Sequence, residues 1–285
     1  MKKIKFTRIA LLLLGASFFA CESEKNEQAE ISTVSEVSPE IISKLANYDI
    51  STSNVKKVDF VIPGGKTIPM LQMEGDLHMT EEQALGLPNL QGLNARNYHT
   101  NNLVSQNTVI DIIGYTGNDG FGLSSKAQTA LRWAVANYNR LNLTISFNLT
   151  FGTNFDPLDM VVYDNPNPPV DENGNEGVGG SAGFPSGGAP FKFVQIYNLE
   201  QFSTNVNEHV ITHEIGHSVG FRHTDYFSRQ SCGENVNEGT AGIGANPIPG
   251  TPAGYDPTSI MVACFSTGTE GEFNSNDITA LNYLY

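Results

Sequence analysis

The chain has 285 residues, with 30 acidic against 16 basic side chains, a net charge of -14 and only 16% charged residues. That length supports one medium domain plus a smaller accessory segment. The sparse acidic charge excludes a charge-dense disordered polymer and argues against a nucleic-acid partner. Apolar content of 39% with 28 Gly and 14 Pro points to a globular, loop-rich protein rather than a helical bundle or a membrane protein.

In chain order, residues 1–20 divide into a basic start (Lys2, Lys3, Lys5, Arg8), an apolar run from Ile9 to Leu14 and a small-residue end at Ala20, the pattern of a cleaved secretory signal. Cys21 follows at once and resembles the acylated cysteine of the bacterial lipoprotein lipobox, with Phe18 where that box usually has Leu. The resemblance implies an exported outer-membrane lipoprotein, held at the cell surface by lipid alone or secreted after processing. Residues 21–48 then form a polar, flexible tether beginning with the acidic run Glu22 to Glu27. No later apolar stretch is long enough to span a bilayer.

Residues 49–103 are a prosegment candidate with a linker. Val58 to Ile62 is strand-like, Pro63-Gly64-Gly65 a turn, and Thr80 to Leu85 the start of a capped helix. The Asn- and Gly-rich stretch from Pro88 to Asn102 is predicted to be an exposed linker where activation cleavage falls. Residues 104–285 form the main domain. A strand is expected at Val109 to Ile113, an amphipathic helix over Ser124 to Arg140, strands at Leu143 to Leu149 and Asp159 to Tyr163, and a further strand at Phe191 to Tyr197 before the last long helix.

That helix carries His213-Glu214-Ile215-Gly216-His217-Ser218-Val219-Gly220-Phe221-Arg222-His223. Residues four apart share a helix face, so His213 and His217 can present two imidazoles to one ion with Glu214 beside them. Gly220 ends the helix and the turn swings His223 back. Three imidazoles leave Zn²⁺ one open tetrahedral position for water, the arrangement of a catalytic site, with Glu214 as general base and acid in peptide hydrolysis. Of the other histidines, His209 lies one turn before His213 and is predicted to be a packing or supporting residue; His78 and His99 carry no ligand spacing. Cys232 and Cys264 are the remaining cysteines and are disulfide candidates in an exported chain, two buried free thiols being the alternative.

The eleven-residue motif, with Ser259-Ile260-Met261 downstream, resembles the metzincin clan of zinc peptidases, and His213 to His217 followed by Arg222 to Tyr226 resembles its dual-action HEIGH metallopeptidases, the protease B family. The resemblance covers about Val104 to Tyr285. It implies an α+β catalytic domain with a twisted, mostly parallel sheet, two long helices and a smaller C-terminal subdomain with a Met-turn. Met261 would support the histidines without ligating, and Gly180 to Pro185 would be the edge strand that pairs with extended substrate. Asn276 to Leu281 would lie in a closing C-terminal helix. Ala263 stands where astacins and serralysins have tyrosine, so no ligand is expected there. Met73-Glu74-Gly75-Asp76-Leu77 resembles the astacin prosegment motif whose aspartate occupies the zinc, making Asp76 a latency candidate, although Gly75-Asp76 is equally the text of a plain turn. Calcium has no dedicated loop; Asp119, Asp156 and Asp164 are the loop carboxylates open to it.

Two functional readings follow. One is a zinc endopeptidase acting on proteins or peptides; the other is a catalytically silent surface lipoprotein that binds zinc or a protein ligand on the same scaffold. The retained Glu214 and all three histidines favour the first.

Overall fold

The computed structural model describes residues 37–46, 52, 55–73, 75–86, 98–170, 174–238, 245–252 and 254–285. The predicted signal, Cys21 and the first part of the tether lie outside the described residues. Short hairpin strands come first. β1 (Lys56–Ile62) and β2 (Lys66–Met73) pair antiparallel through the predicted Gly64-Gly65 turn, and β2 pairs antiparallel with β3 (Leu77–Met79). The helix after β3, Glu81–Leu85, starts with a capping box between Thr80 and Gln83.

The main domain builds on β5 (Val109–Tyr115), β6 (Ser146–Gly152), β7 (Met160–Asp164), β8 (Gly179–Gly183) and β9 (Phe193–Tyr197), with β4 (Tyr98–His99) a short strand before them. The sheet order is β1-β2-β3-β8-β9-β7-β5-β6. Strands β9, β7, β5 and β6 run parallel, β8 is antiparallel to β9, and β3 is parallel to β8. The upstream segment therefore extends the sheet beyond β8 instead of forming a separate layer.

Two long helices complete this half. The first, Ser125–Asn139, is capped by the Ser124 hydroxyl, which accepts from the Ala127 amide at 3.1 Å, and it buries Ala127, Ala130, Leu131, Ala134, Val135 and Tyr138 at helical spacing. The second, Thr204–Ser218, is capped by Ser203 and is buried on every side from Val206 to Ser218. The Tyr138 hydroxyl donates to the Thr212 carbonyl at 2.9 Å and joins the two helices. Beyond Gly220 the chain is mostly irregular until the last helix, Ser275–Leu284. This is the α+β, metzincin-like architecture: a mostly parallel sheet, two long helices and a smaller C-terminal part.

Two expectations change. Residues 39–46 of the predicted tether form a helix, Pro39–Ala46, whose Ile41 and Leu45 pack with Leu71, Met73, Leu77 and Phe184 in a second small core. An i,i+4 pair of aliphatic residues is enough to seat a short helix once a partner surface exists. The linker expected to be exposed from Pro88 to Asn102 is partly buried where it is described, with Asn101 exposed. Tyr98 and Thr100 are buried, β4 pairs with Asn246–Pro247, and the Thr100 amide donates to the Gly220 carbonyl at 2.9 Å. Residues 87–97 lie outside the described residues.

The C-terminal helix also fixes the Ser259–Met261 turn. Asp277, at the third position of its capping box, accepts from the Ser259 hydroxyl at 2.6 Å, the Ile260 amide at 3.0 Å and the Asn274 amide at 3.1 Å. Replacing Asp277 with Ala leaves these buried donors without an acceptor and is expected to cost ~3 kcal/mol. Urea denaturation checks this: an Asp277→Ala midpoint equal to wild type would refute the role of Asp277 as the anchor of the turn.

Candidate metal centre

Helical spacing puts His213, Glu214 and His217 on the buried stretch of Thr204–Ser218. Gly220, at φ 113°, reverses the chain just beyond it, a backbone state open to glycine and poorly tolerated by other residues. His223 then returns over the helix. The three ring centroids lie 4.6 Å (His213–His217), 4.8 Å (His217–His223) and 5.2 Å (His213–His223) apart.

Each ring is held by its far nitrogen. His213 Nδ1 lies 2.8 Å from the Ile260 carbonyl oxygen, and His217 Nδ1 lies 2.8 Å from that of Phe221. A carbonyl can only accept, so both Nδ1 atoms carry the hydrogen and both Nε2 atoms are left as lone pairs. His223 Nδ1 lies 2.8 Å from Glu238 Oε2, and Arg229 donates to Glu238 Oε1 at 2.5 Å. The Nε2 atoms of His217 and His223 face each other at 3.2 Å. Two ring nitrogens facing each other at that distance in a buried site can share a proton or a metal cation. Asp76 joins the group, its Oδ2 3.0 Å from His223 Nε2 and 3.9 Å from His213 Nε2. One ligand atom from each of Asp76, His213, His217 and His223 lies within 4.8 Å of all the others, a donor set of three nitrogens and one oxygen that suits a metal ion.

Burial sets the protonation states. His213 is pushed down to about 3 by burial and by the neighbouring His223, and His217 falls well below its ordinary value by burial and by His213. Burial also disfavours charge on His223, but the Glu238 and Asp76 carboxylates outweigh it and raise its pKa. Burial works against ionised Asp76 as well, and the three histidines outweigh it, His223 foremost, keeping the carboxyl below its usual range. Glu214 is raised well above the usual carboxylate range, by burial first and by Asp76 second, and its Oε2 is buried without a partner.

Two close approaches explain the glycines around the site. A Cβ at Gly216 would stand 2.6 Å from the Met261 sulfur, so the predicted turn methionine packs directly against the motif helix. A Cβ at Gly180 would stand 2.6 Å from Glu214 Cγ, so β8 runs against the glutamate only because that position lacks a side chain. The Tyr197 hydroxyl donates to the Gly180 carbonyl at 2.5 Å and holds the strand there. On its outer side β8 is paired with β3, and the Ala182 amide donates to the Asp76 carbonyl at 3.0 Å.

Of the residues singled out from sequence, the structure gathers His213, Glu214, His217, His223, Met261 and Asp76 in one place. Cys232 and Cys264 are disulfide-bonded with Cα atoms 5.1 Å apart. His209 stays outside the cluster, its Nδ1 3.1 Å from the Glu270 carbonyl oxygen. His78 packs its ring against Phe60 and His99 sits in β4, and neither belongs to the ligand group. Asp119, Asp156 and Asp164 are not brought together, and the histidine–aspartate group is the only set of three or more potential ligands among the described residues. Asp119 instead accepts from the Tyr115 hydroxyl and the Gly64 amide.

Three contributors escaped the sequence reading. Glu238 and Arg229 lie in a loop with no periodicity, and only contact with His223 identifies them. Asp225 stood in the motif text, yet nothing there assigned its work: it accepts from the Ala263 amide at 3.0 Å and the Ser231 amide at 2.8 Å, tying the loop after His223 to the chain beyond Met261.

A family model described as dual-action HEIGH metallo-peptidase matches residues 71–285. No curated protein matches the chain. Among solved structures, one of myroilysin is similar at 13% identity and a TM-score of 0.40, covering 65% of this chain and 95% of that one. A second myroilysin structure, also at 13% identity, has a TM-score of 0.36 and covers 61% of this chain and 81% of that one. The family match spans the helix motif, the returning third histidine and the methionine turn together, and the chain belongs to the dual-action HEIGH metallo-peptidase family and is a metallopeptidase.

Proposed function

We propose that the chain is a zinc endopeptidase, exported as a Cys21 lipoprotein and made as a precursor in which Asp76 covers the metal site. The observation that carries the peptidase reading is the convergence of three buried imidazole rings beside Glu214, whose Oε2 is buried without a partner and which lies against β8. Three nitrogens and an exchangeable fourth position are the donor set of catalytic zinc.

When bound, zinc supplies Lewis acidity to a water and to the scissile carbonyl. The chain does the rest. His213, His217 and His223 hold their rings through Ile260, Phe221 and Glu238, so the three lone pairs stay aimed at one point. Glu214, whose pKa is raised by burial and by Asp76, takes the proton of the attacking water and gives it to the departing amine. The edge of β8 offers main-chain hydrogen bonds to an extended peptide. In a precursor β3 would occupy that edge, as it pairs with β8, and Asp76, with Oδ2 3.0 Å from His223 Nε2, would compete with water for the ion; both observations support the latency reading. Because Glu214 and Asp76 are both acids in one buried site, removing the upstream segment also removes a repulsion that Glu214 feels.

The deciding experiment is casein hydrolysis by the matured protein with and without a chelator. Glu214→Gln is expected to lose ~10³-fold in turnover while retaining full metal content, whereas His223→Ala loses the metal itself. A Glu214→Gln protein that keeps a tenth of wild-type activity would rule the mechanism out. Glu238→Gln keeps the shape but not the charge against His223, so zinc affinity measured by chelator competition should fall roughly 10- to 100-fold; an unchanged affinity would remove Glu238 from the site. Finally, unprocessed Asp76→Ala precursor should hydrolyse peptides that intact precursor leaves alone. Equal activity of the two precursors would end the latency reading.

A further inference from the structure

A surface cavity of about 540 Å³ lies where the two long helices meet the loop before the last helix. None of its walls belongs to the metal group or to the upstream segment. Trp133 and Asn137 line it from the first long helix, Arg140 from that helix's cap, Glu208 from the second, and Glu270 and Glu272 from the loop. Arg140 is the one cation among the walls and is paired with Glu272. Among the described residues neither Glu208 nor Glu270 is in an ion pair. Glu208 is 4% exposed, and its Oε1 accepts from Asn137 Nδ2 at 2.9 Å. Its Oε2 has no hydrogen-bond partner among the described residues and is not closed off from solvent. A Cβ at Gly271, in the same wall, would stand 2.6 Å from that oxygen, so any side chain there would press on it. Burial first, and the Glu272 carboxylate second, raise Glu208 to about 7. A carboxylate in that setting is short of a positively charged donor.

The chemistry of the walls selects the ligand. Three carboxylates against one guanidinium repel anions, and the walls do not gather the three ligand atoms that a metal ion needs. Trp133, the only tryptophan of the chain, is 43% exposed, and an indole face is the best aromatic surface for an organic cation. A cationic head on an apolar stem therefore meets both kinds of wall, and the net charge of -14 draws basic partners toward the chain. We propose that this cavity binds a lysine or arginine side chain of a partner polypeptide, its charged head on Glu208 and Glu270 and its stem along Trp133. It is a place apart from the metal at which a basic protein segment is held, and it does not depend on the peptidase reading.

Because Trp133 is the lone tryptophan, its fluorescence reports the binding directly. The zinc-loaded full-length protein is titrated with Nα-acetyl-lysine N-methylamide and with its arginine and norleucine counterparts. The two basic probes should change the fluorescence saturably, with a Kd of about 1–10 mM for one charge-assisted hydrogen bond and one exposed cation–π contact. Norleucine, which keeps the stem and lacks the charge, should leave it unchanged over the same range. Glu208→Gln keeps the shape and the bond from Asn137, and should weaken the basic probes about 10-fold; Glu270→Gln, at an exposed side chain, should weaken them about 3-fold. No saturable change with either basic probe, an equal response to norleucine, or an unchanged Kd in Glu208→Gln overturns the proposal. If Glu208→Gln does not fold, the norleucine comparison and Glu270→Gln decide the matter. Hydrolysis plays no part in the readout: protein that binds the probes and cleaves nothing sinks the peptidase reading alone, and protein that cleaves but does not bind them sinks the cavity alone.

Discussion

Three imidazole lone pairs aimed at one buried point are unfavourable unless a cation sits among them, and much of the chain beyond Gly220 is arranged to keep them aimed. The anchors come from three separate places: the Ile260 carbonyl in the methionine turn, the Phe221 carbonyl in the turn that ends the helix, and the Glu238 carboxylate in the loop that follows. Each anchor is itself tied down. Ile260 hangs from Asp277, Phe221 lies next to the Gly220 reversal, and Glu238 is gripped by Arg229. The Cys232–Cys264 bond and Asp225 join the Glu238 loop to the chain just past Met261, so the supports of all three rings belong to one cross-linked unit. A largely irregular region can thus hold a metal geometry that regular structure would otherwise have to supply.

The upstream segment is attached by two independent means. Its strands continue the sheet by main-chain pairing to β8, and its own apolar residues form a second core with Phe184, which follows β8 directly. Neither involves the metal. The Asp76 carboxylate is thus delivered to the histidines by a scaffold whose stability is separate from the charge interaction it presents. Main-chain pairing on that edge leaves few bonds for a second extended chain, because a strand edge has one set of donors and acceptors to share.

How far the sequence could be read followed the range of the interactions involved. The motif helix was legible because its ligands are spaced by the helical repeat, and Val109–Tyr115 and Ser125–Asn139 because their burial follows the strand and helix periods. The motif helix itself carries no amphipathic signal, since it is buried all round; only its histidines announced it. Pro39–Ala46 read as tether because its apolar residues cover only two helical turns, and the surface that seats Ile41 and Leu45 comes from β2, β3 and Phe184. Tyr98–His99 read as linker because its partners, Phe221 and Asn246–Pro247, lie more than a hundred residues downstream. Glu238 is fifteen residues past His223 in a loop of no pattern, so only the fold could bring it to the ring. Local periodicity carries no record of such pairings.

The two close contacts at glycine explain why the motif constrains more than its ligands. The helix that carries the histidines and Glu214 is approached closely at two places: by the Met261 sulfur at Gly216, and by β8 beside Glu214 at Gly180. Adding a single methyl group at either place meets an atom well inside van der Waals contact. At Gly216 the methyl would press on the methionine whose neighbour, Ile260, orients His213. At Gly180 it would press on the Glu214 carboxylate and on the Gln195 carbonyl of β9. Two residues with no side chain therefore set the distances between Glu214, the histidines and the strand, and the packing that holds the site together is inseparable from the spacing of these groups.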